Sequence, residues 1–364
     1  MTASDTRYSG GSWRAPAEGL SAALLFGLST PFAKILLPYS DPLTLAAMLY
    51  LGAAAGLLIV NAFGRLTAAA AGPKEPGLTS ADLPVMAGVA LFGGVVGPIL
   101  MLAGLERLSA VAGSLLLNLE TPFTILLALA VFGDHMGRRE ALGAAAIVLG
   151  AIVLGANGAA PRDLNGDAIG AIAIAGACMA WAIDNNLTQR LALRDPVAVT
   201  RFKTAAAGLA MLAIAIARGG PAPHAGIIAA AAALGAVSYG FSLILNLRAL
   251  RMLGAARQAA YFATAPFAGA IAAAIIFGER PGAATLAAGL LMALGAGAIA
   301  FAPHLHRHRH EPLEHEHRHV HDEHHAHAHQ AGVSSAAAHS HWHRHEPLEH
   351  AHPHFPDPHH RHGH

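Results

Sequence analysis

Pro122-Phe123 followed by Phe132-Gly133-Asp134, and Pro266-Phe267 followed by Phe277-Gly278-Glu279, are one phrase written twice. Each copy ends an Ala/Leu-rich stretch in a Phe-Gly-acid turn and leads into a second apolar stretch, containing Gly143 or Gly289. The offset is 144 at the prolines and 145 at the turn glycines, so a single gap aligns residues 105–156 with 247–302. Duplicated apolar segments predict a membrane protein built from internal repeats, an organisation that in many transporters places a solute site between the halves near the bilayer midplane.

Composition agrees. The 364 residues are 54% hydrophobic and 12% charged, against about 25% charged in soluble chains. Of 25 histidines, 23 lie from His304 onward, leaving only His135 and His224 elsewhere. The chain therefore divides into an apolar body and a polar tail, and its formal charge of +1 gives no basis for nucleic-acid binding. The single cysteine, Cys178, excludes an intrachain disulfide and reads as a small buried hydrophobe. Arg7 and Arg14 before an apolar run suggest a signal peptide. The further spans and the absence of a small-residue cleavage pattern point instead to an uncleaved first helix.

A spanning helix needs about 20 mostly apolar residues. Windows near 17–37, 42–63, 84–105, 109–132, 139–157, 168–190, 197–217, 225–247, 254–277 and 281–302 qualify. With the N-terminus inside, thirteen Lys or Arg, among them Arg138, Arg139, Arg201 and Lys203, fall on the inner side and four on the outer. This bias predicts cytoplasmic termini. The expected organisation is a segment 1–16, a first repeat 17–157, a linker 158–167, a second repeat 168–302 and a tail 303–364. Five spans per repeat make the halves inverted. The first segments match more weakly: Phe26-Gly27 corresponds to Trp181-Ala182, and Asp41-Pro42 to Asp195-Pro196.

This pattern resembles the EamA-type family of the drug/metabolite transporter superfamily. It is carried by Pro122, Phe132-Gly133-Asp134 and Gly143, then Pro266, Phe277-Gly278-Glu279 and Gly289. The resemblance implies an all-α integral membrane fold of ten transmembrane helices as two inverted five-helix repeats. It also implies export of a small metabolite or toxic compound by alternating access, with a second copy of the chain as a candidate partner; the high Ala and Gly content points to a bacterial inner membrane. Arg201 fits the family pattern after the proline opening the seventh span, whereas Met48 stands at the comparable place in the first half. Asp134 replaces the commoner Glu.

Ionisable residues inside apolar spans are costly unless hydrated or paired, and so mark candidate pathways. Glu120, within Leu117-Asn118-Leu119-Glu120-Thr121-Pro122, is the leading candidate for a proton or cation carboxylate. The alternative is a neutral, hydrogen-bonded Glu beside a proline break. Asp184-Asn185-Asn186 is the densest polar cluster of the body and reads as cavity wall or as plain interface. Asn118, Trp181, Tyr239, Asn246, Gln258 and Tyr261 are cavity candidates by amphipathic character. Pro122 and Pro266 are helix-break candidates that free mid-span carbonyls. Asp134 and Glu279 are expected to act locally, on helix ends or nearby arginines.

The tail alternates His304, His306, His308 and His310, then His315, His317, His319 and His321, later His339, His341, His343, His345 and His350. The octapeptide His308-Arg309-His310-Glu311-Pro312-Leu313-Glu314-His315 recurs unchanged from His343 to His350. Neutral imidazole suits Zn, Ni, Co and Cu, so the tail reads as a metal binder without a fixed ligand set, disordered in the absence of metal. A pH-responsive appendage is the plainer alternative. Partners expected are thus the bilayer, a small-molecule solute and divalent metal on the tail; no cofactor is required. An enzyme is disfavoured, since no nucleophile or acid/base constellation lies in the spans. The competing classes are a Ni, Co or Zn efflux system with the tail as collector, and a membrane-anchored metal buffer or sensor.

Overall fold

In lipid every backbone polar group must be satisfied internally, and a helix does so within one segment. The computed structural model describes residues 14–67, 76–132, 136–157, 164–191, 194–219, 222–253, 258, 261–300, 305–309, 313–319, 339–345 and 349–353. Among these the body comprises α1 (14–39), α2 (Pro42–Thr67), α3 (Ser80–Arg107), α4 (110–132), α5 (Arg138–Asn157), α6 (164–191), α7 (Pro196–Ala217), α8 (225–253), α9 (Ala265–Phe277) and α10 (Ala283–Ala300). Eight are long and apolar enough to cross a membrane. The other two are α5, which opens on Arg138, Arg139 and Glu140, and the shorter apolar α9.

Helix contacts carry the symmetry. α1 packs on α8 and α9, and α6 packs on α3 and α4. α2 packs on α7 and α8, and α7 on α2 and α3. α4 meets α9, and α5 meets α10. Exchanging each helix for the one five places along maps this set onto itself. The local signals repeat as well: Asp41 Oδ1 accepts from Leu43 N (3.1 Å) at the start of α2, and Asp195 Oδ1 from Val197 N (2.9 Å) at the start of α7. In each case the following Pro supplies a residue whose missing N–H costs nothing at a helix start. α3 and α8, also equivalent, both contain a π-turn, at Ala90–Val96 and Ala236–Phe241.

Without a hydrophobic drive between helices in lipid, close contact of small residues holds the bundle. At the α5–α10 crossing a Cβ on Gly143 would lie 2.6 Å from the Gly295 carbonyl oxygen, and one on Gly295 2.5 Å from that of Gly143. Gly143→Val is therefore expected to separate these helices and destabilise the protein by about 1–3 kcal/mol, read as a lower unfolding temperature in detergent. Equal stability would mean the backbones part without cost.

The Phe-Gly-acid turn has a structural role in the second repeat. Gly278 ends α9 with φ 64°, a left-handed conformation that favours glycine. The turn brings Glu279 to the start of α4, where its carboxylate accepts from Ala110 N (2.9 Å) and Val111 N (3.1 Å). Lys34 of α1 donates to the Leu105 (2.7 Å) and Leu108 carbonyls at the end of α3. A cation thus sits on a helix C-terminus and an anion on the next N-terminus, each the sign that the helix dipole favours. Asp134 and His135, in the first repeat's turn, lie outside the described residues.

In the tail the described residues fall in four short segments. β1 (Leu305–Arg309) pairs antiparallel with β4 (Glu349–Pro353), and β2 (Leu313–His319) with β3 (His339–His345). The composition lacks apolar mass for a core, but His alternates with other residues at the period of a strand. His304, His310 and His321 fall outside the described residues.

Candidate functional site

The site begins with a missing hydrogen. In the π-turn of α3, Gly97 N donates to the carbonyl of Phe92, so the next carbonyl, that of Gly93, would find its donor at residue 98. That residue is Pro98, which has no N–H. The Gly93 carbonyl is thereby released and accepts from Tyr50 Oη (2.8 Å) and Trp181 Nε1 (3.1 Å). Three helices, α2, α3 and α6, are tied at this atom, and two aromatic rings are fixed beside a central cavity.

The cavity has two lobes, of about 240 and about 420 Å³. Phe26, Glu120, Trp181, Asn185, Tyr239 and Phe262 border both lobes. Aromatic walls come from both repeats: Phe26 meets Tyr239 edge-on at 5.6 Å and Phe262 at 5.1 Å, and Tyr239 lies 5.9 Å from Tyr50. Tyr239 Oη donates to Ser29 Oγ (3.2 Å), linking α8 to α1.

Two polar groups face this space. α4 is interrupted by a 3₁₀ turn at Leu117–Leu119, after which Glu120 begins the second helical half. Its Oε1 accepts from Asn185 Nδ2 (2.8 Å) of α6. In the smaller lobe, Lys203 of α7 forms an ion pair with Asp184 of α6, the Asp side chain 5% and the Lys side chain 21% exposed. Asp184 also accepts from Thr188 Oγ1 (3.2 Å). The arrangement can hold an apolar or aromatic portion against the rings and a charged or proton-exchanging group at Glu120 or the ion pair.

The sequence candidates separate into groups. Glu120, Asp184, Asn185, Trp181, Tyr239 and Asn246 converge on the cavity, and Asn118 and Pro266 border its larger lobe. Asn186 is buried with its amide donating to the backbone carbonyls of Ala182 (2.8 Å) and Thr124 (3.2 Å). Gln258 reaches the site only through Asn246 (2.7 Å). Tyr261 is not in the lining of either lobe and lies against α1 near Gly19. Pro122 and Pro266 both stand in the first turn of a helix that restarts, at Glu120 and Ala265.

Lys203, Tyr50, Phe26 and Phe262 were missed by the sequence reading. Lys203, counted with the inner loop charges, stands within α7 and meets Asp184 from across the cavity wall. Its placement seven residues after Pro196, inside the span 197–217, was the signal available. For Tyr50, the signal was the Gly97-Pro98 pair that leaves a carbonyl without its donor.

Ten helices in two inverted repeats around a mid-bundle polar cavity define a multi-pass membrane transporter. The chain belongs to the EamA-like transporter family, whose model matches residues 18–156 and 168–301. An uncharacterized transporter of Methanothermobacter thermautotrophicus is 30% identical over 273 residues, 71% of this chain and 78% of that protein. A protein of known crystal structure matches in fold with a TM-score of 0.54 at 20% identity, over 79% of this chain and 95% of that one.

Proposed function

We propose that the protein exports a small organic solute by alternating access, driven by the proton gradient through Glu120, from the cytoplasm across a bacterial inner membrane. The observation that carries this reading is the cavity: aromatic walls from both repeats around a carboxylate and an ion pair, at the junction where repeat-built transporters bind solute. Ring faces and a charged pair suit a metabolite or toxic compound with an apolar part and a charged group. Among the described residues Asn185 is the side-chain donor to Glu120, and a cavity lies at its back, which is where a proton-exchanging group must sit. Among the described residues no three His, Cys, Asp or Glu converge to hold a metal ion, which favours an organic solute over a divalent cation. The tail is read as a separate binder of Zn, Ni, Co or Cu at the cytoplasmic face.

Cells expressing the intact protein, a form ending at Pro303, and Glu120→Gln separate the readings. Survival against a panel of toxic amphiphiles and charged metabolite analogues is expected to rise with the first two and not with Glu120→Gln. Efflux of loaded Ni, Co or Zn is expected to be the same in all three. Metal efflux that requires Glu120 would instead make the cation the solute and overturn the proposal.

A further inference from the structure

We infer that the solute is an organic monocation with an aromatic or otherwise apolar body, held at Glu120 among the cavity's rings and exchanged there for a proton. This rests on the proposed export of an organic solute and adds to it the sign of the solute's charge and the side chain that reads it.

The sign follows from the charges that line the cavity. Across both lobes they are Glu120, Glu140, Asp184 and Lys203, three carboxylates against one ammonium. That ammonium is committed. Lys203 pairs with Asp184, whose side chain is 5% exposed, and Thr188 Oγ1 donates to the same carboxylate (3.2 Å). Helix α3 closes over the pair, since a Cβ on Gly93 would collide with Asp184 Oδ2 and stand 2.6 Å from Lys203 Nζ. An anionic solute would have to draw Lys203 away and strand a buried carboxylate, which is strongly unfavourable. A zwitterion would meet the same obstacle at its acidic end. A cation does not, because Glu120 has as its side-chain donor among the described residues the neutral amide of Asn185 (2.8 Å).

The rings stand where a cation needs them. Phe26, Trp181, Tyr239 and Phe262 border both lobes, as Glu120 does. Phe26 ties three of them into one wall, 5.1 Å from Phe262 and 5.6 Å from Tyr239. The polar edges are already engaged: Trp181 Nε1 donates to the Gly93 carbonyl (3.1 Å) and Tyr239 Oη to Ser29 Oγ (3.2 Å). These side chains therefore offer the solute ring surface, whose negative face attracts a cation and gives an anion nothing.

Proton and cation compete at Glu120 because both take the ionised carboxylate. An arriving cation sends the proton to water; a proton arriving in the other end state neutralises the carboxylate and releases the cation. One positive charge is exchanged for another. The neighbouring titratable groups are otherwise occupied. Tyr50 Oη donates to the Gly93 carbonyl (2.8 Å), the Cys178 thiol to the carbonyls of Leu116 (3.6 Å) and Leu117 (3.7 Å), and Glu140 accepts from Gly137 N (2.8 Å). Lys34 and Glu279 are held by backbone groups at the α3–α4 junction, and Arg138 and Arg139 line neither lobe.

Four probes on one phenylethyl body test the sign: phenylethyltrimethylammonium, 3-phenylpropionate, the zwitterion phenylalanine and neutral 3-phenylpropionamide. Binding to the full-length protein in detergent is read by equilibrium dialysis across a pH series, and proton release by a dye in weak buffer. The cation is expected to bind tightest, about 30-fold or more above the amide, the ratio for a desolvated cation over rings. Its affinity should fall by as much as about tenfold per unit as the pH drops through the range where Glu120 takes up its proton, and binding there should release that proton. Glu120→Gln is expected to lower cation affinity about 10²-fold, the factor for opposite charges about 6 Å apart at an effective dielectric near 20. It should also abolish proton release and leave amide binding unchanged, with thermal unfolding reporting that the variant is folded. An anion or zwitterion bound more tightly than the cation would overturn the assignment while leaving export of an organic solute in place. A cation that binds Glu120→Gln as it binds the intact protein, or that binds neither, would overturn it too. Metal efflux that requires Glu120 would instead remove the reading on which it rests.

Discussion

Glu120→Gln is expected to lower gradient-driven efflux while leaving the protein folded and present in the membrane. Glutamine keeps the side-chain oxygen that accepts from Asn185 Nδ2, so the contact between α4 and α6 survives and only the exchangeable proton is removed. Coupling free energies between sites run to about 1–3 kcal/mol, or about 5–150-fold, and the drop should fall in that range. With a solute identified by the survival screen, proteoliposomes give the sharper readout. Accumulation driven by an imposed pH difference should fail, whereas exchange of labelled for unlabelled solute at equal pH should continue. A variant that still accumulates solute against a pH-driven gradient would remove Glu120 from the coupling step.

Separating Asp184 from Lys203 should have the larger effect on stability. With Asp184 buried, Lys203→Met strands a carboxylate and Asp184→Asn strands an ammonium in low dielectric. Breaking such a pair on one side costs about 3–5 kcal/mol, while removing both charges together is close to neutral. Each single variant is thus expected to unfold at lower temperature in detergent, and Asp184→Asn with Lys203→Met to recover most of the loss without recovering transport. If the single variants unfold with the wild type, water already solvates the pair and its value is functional alone.

The repeated phrase around Pro122 and Pro266 made the ten-helix fold legible, because bilayer thickness and backbone satisfaction leave few solutions to an apolar duplicated chain. Glu120, Asp184 and Asn185 were legible for a related reason: polar groups in apolar spans stand out. The partners of those groups were not. Tyr50 and Lys203 approach from helices distant in sequence, and neither breaks a one-dimensional pattern enough to announce which carbonyl or carboxylate it will meet. Tyr261 and Gln258 were chosen on amphipathic character, which marks a polar side chain but does not tell the cavity from a neighbouring helix packing. In the tail, composition pointed to a shapeless binder.

The contacts of Lys34 and Glu279 bear on the energetics of the empty carrier. Two inverted repeats would, if identical, interchange the two end states and make them equal in free energy. The duplication places an uncharged residue, Gln189, where the second repeat would need its counterpart of Lys34. The lysine half of the clasp is therefore not repeated residue for residue, and a contact made in one end state alone would tilt the resting equilibrium toward that state. Such a tilt does not choose the direction of net flux, which the gradients decide. It chooses the side on which the unloaded protein waits, and solute arriving from the other side meets an apparent affinity lowered by the fraction of molecules turned away from it.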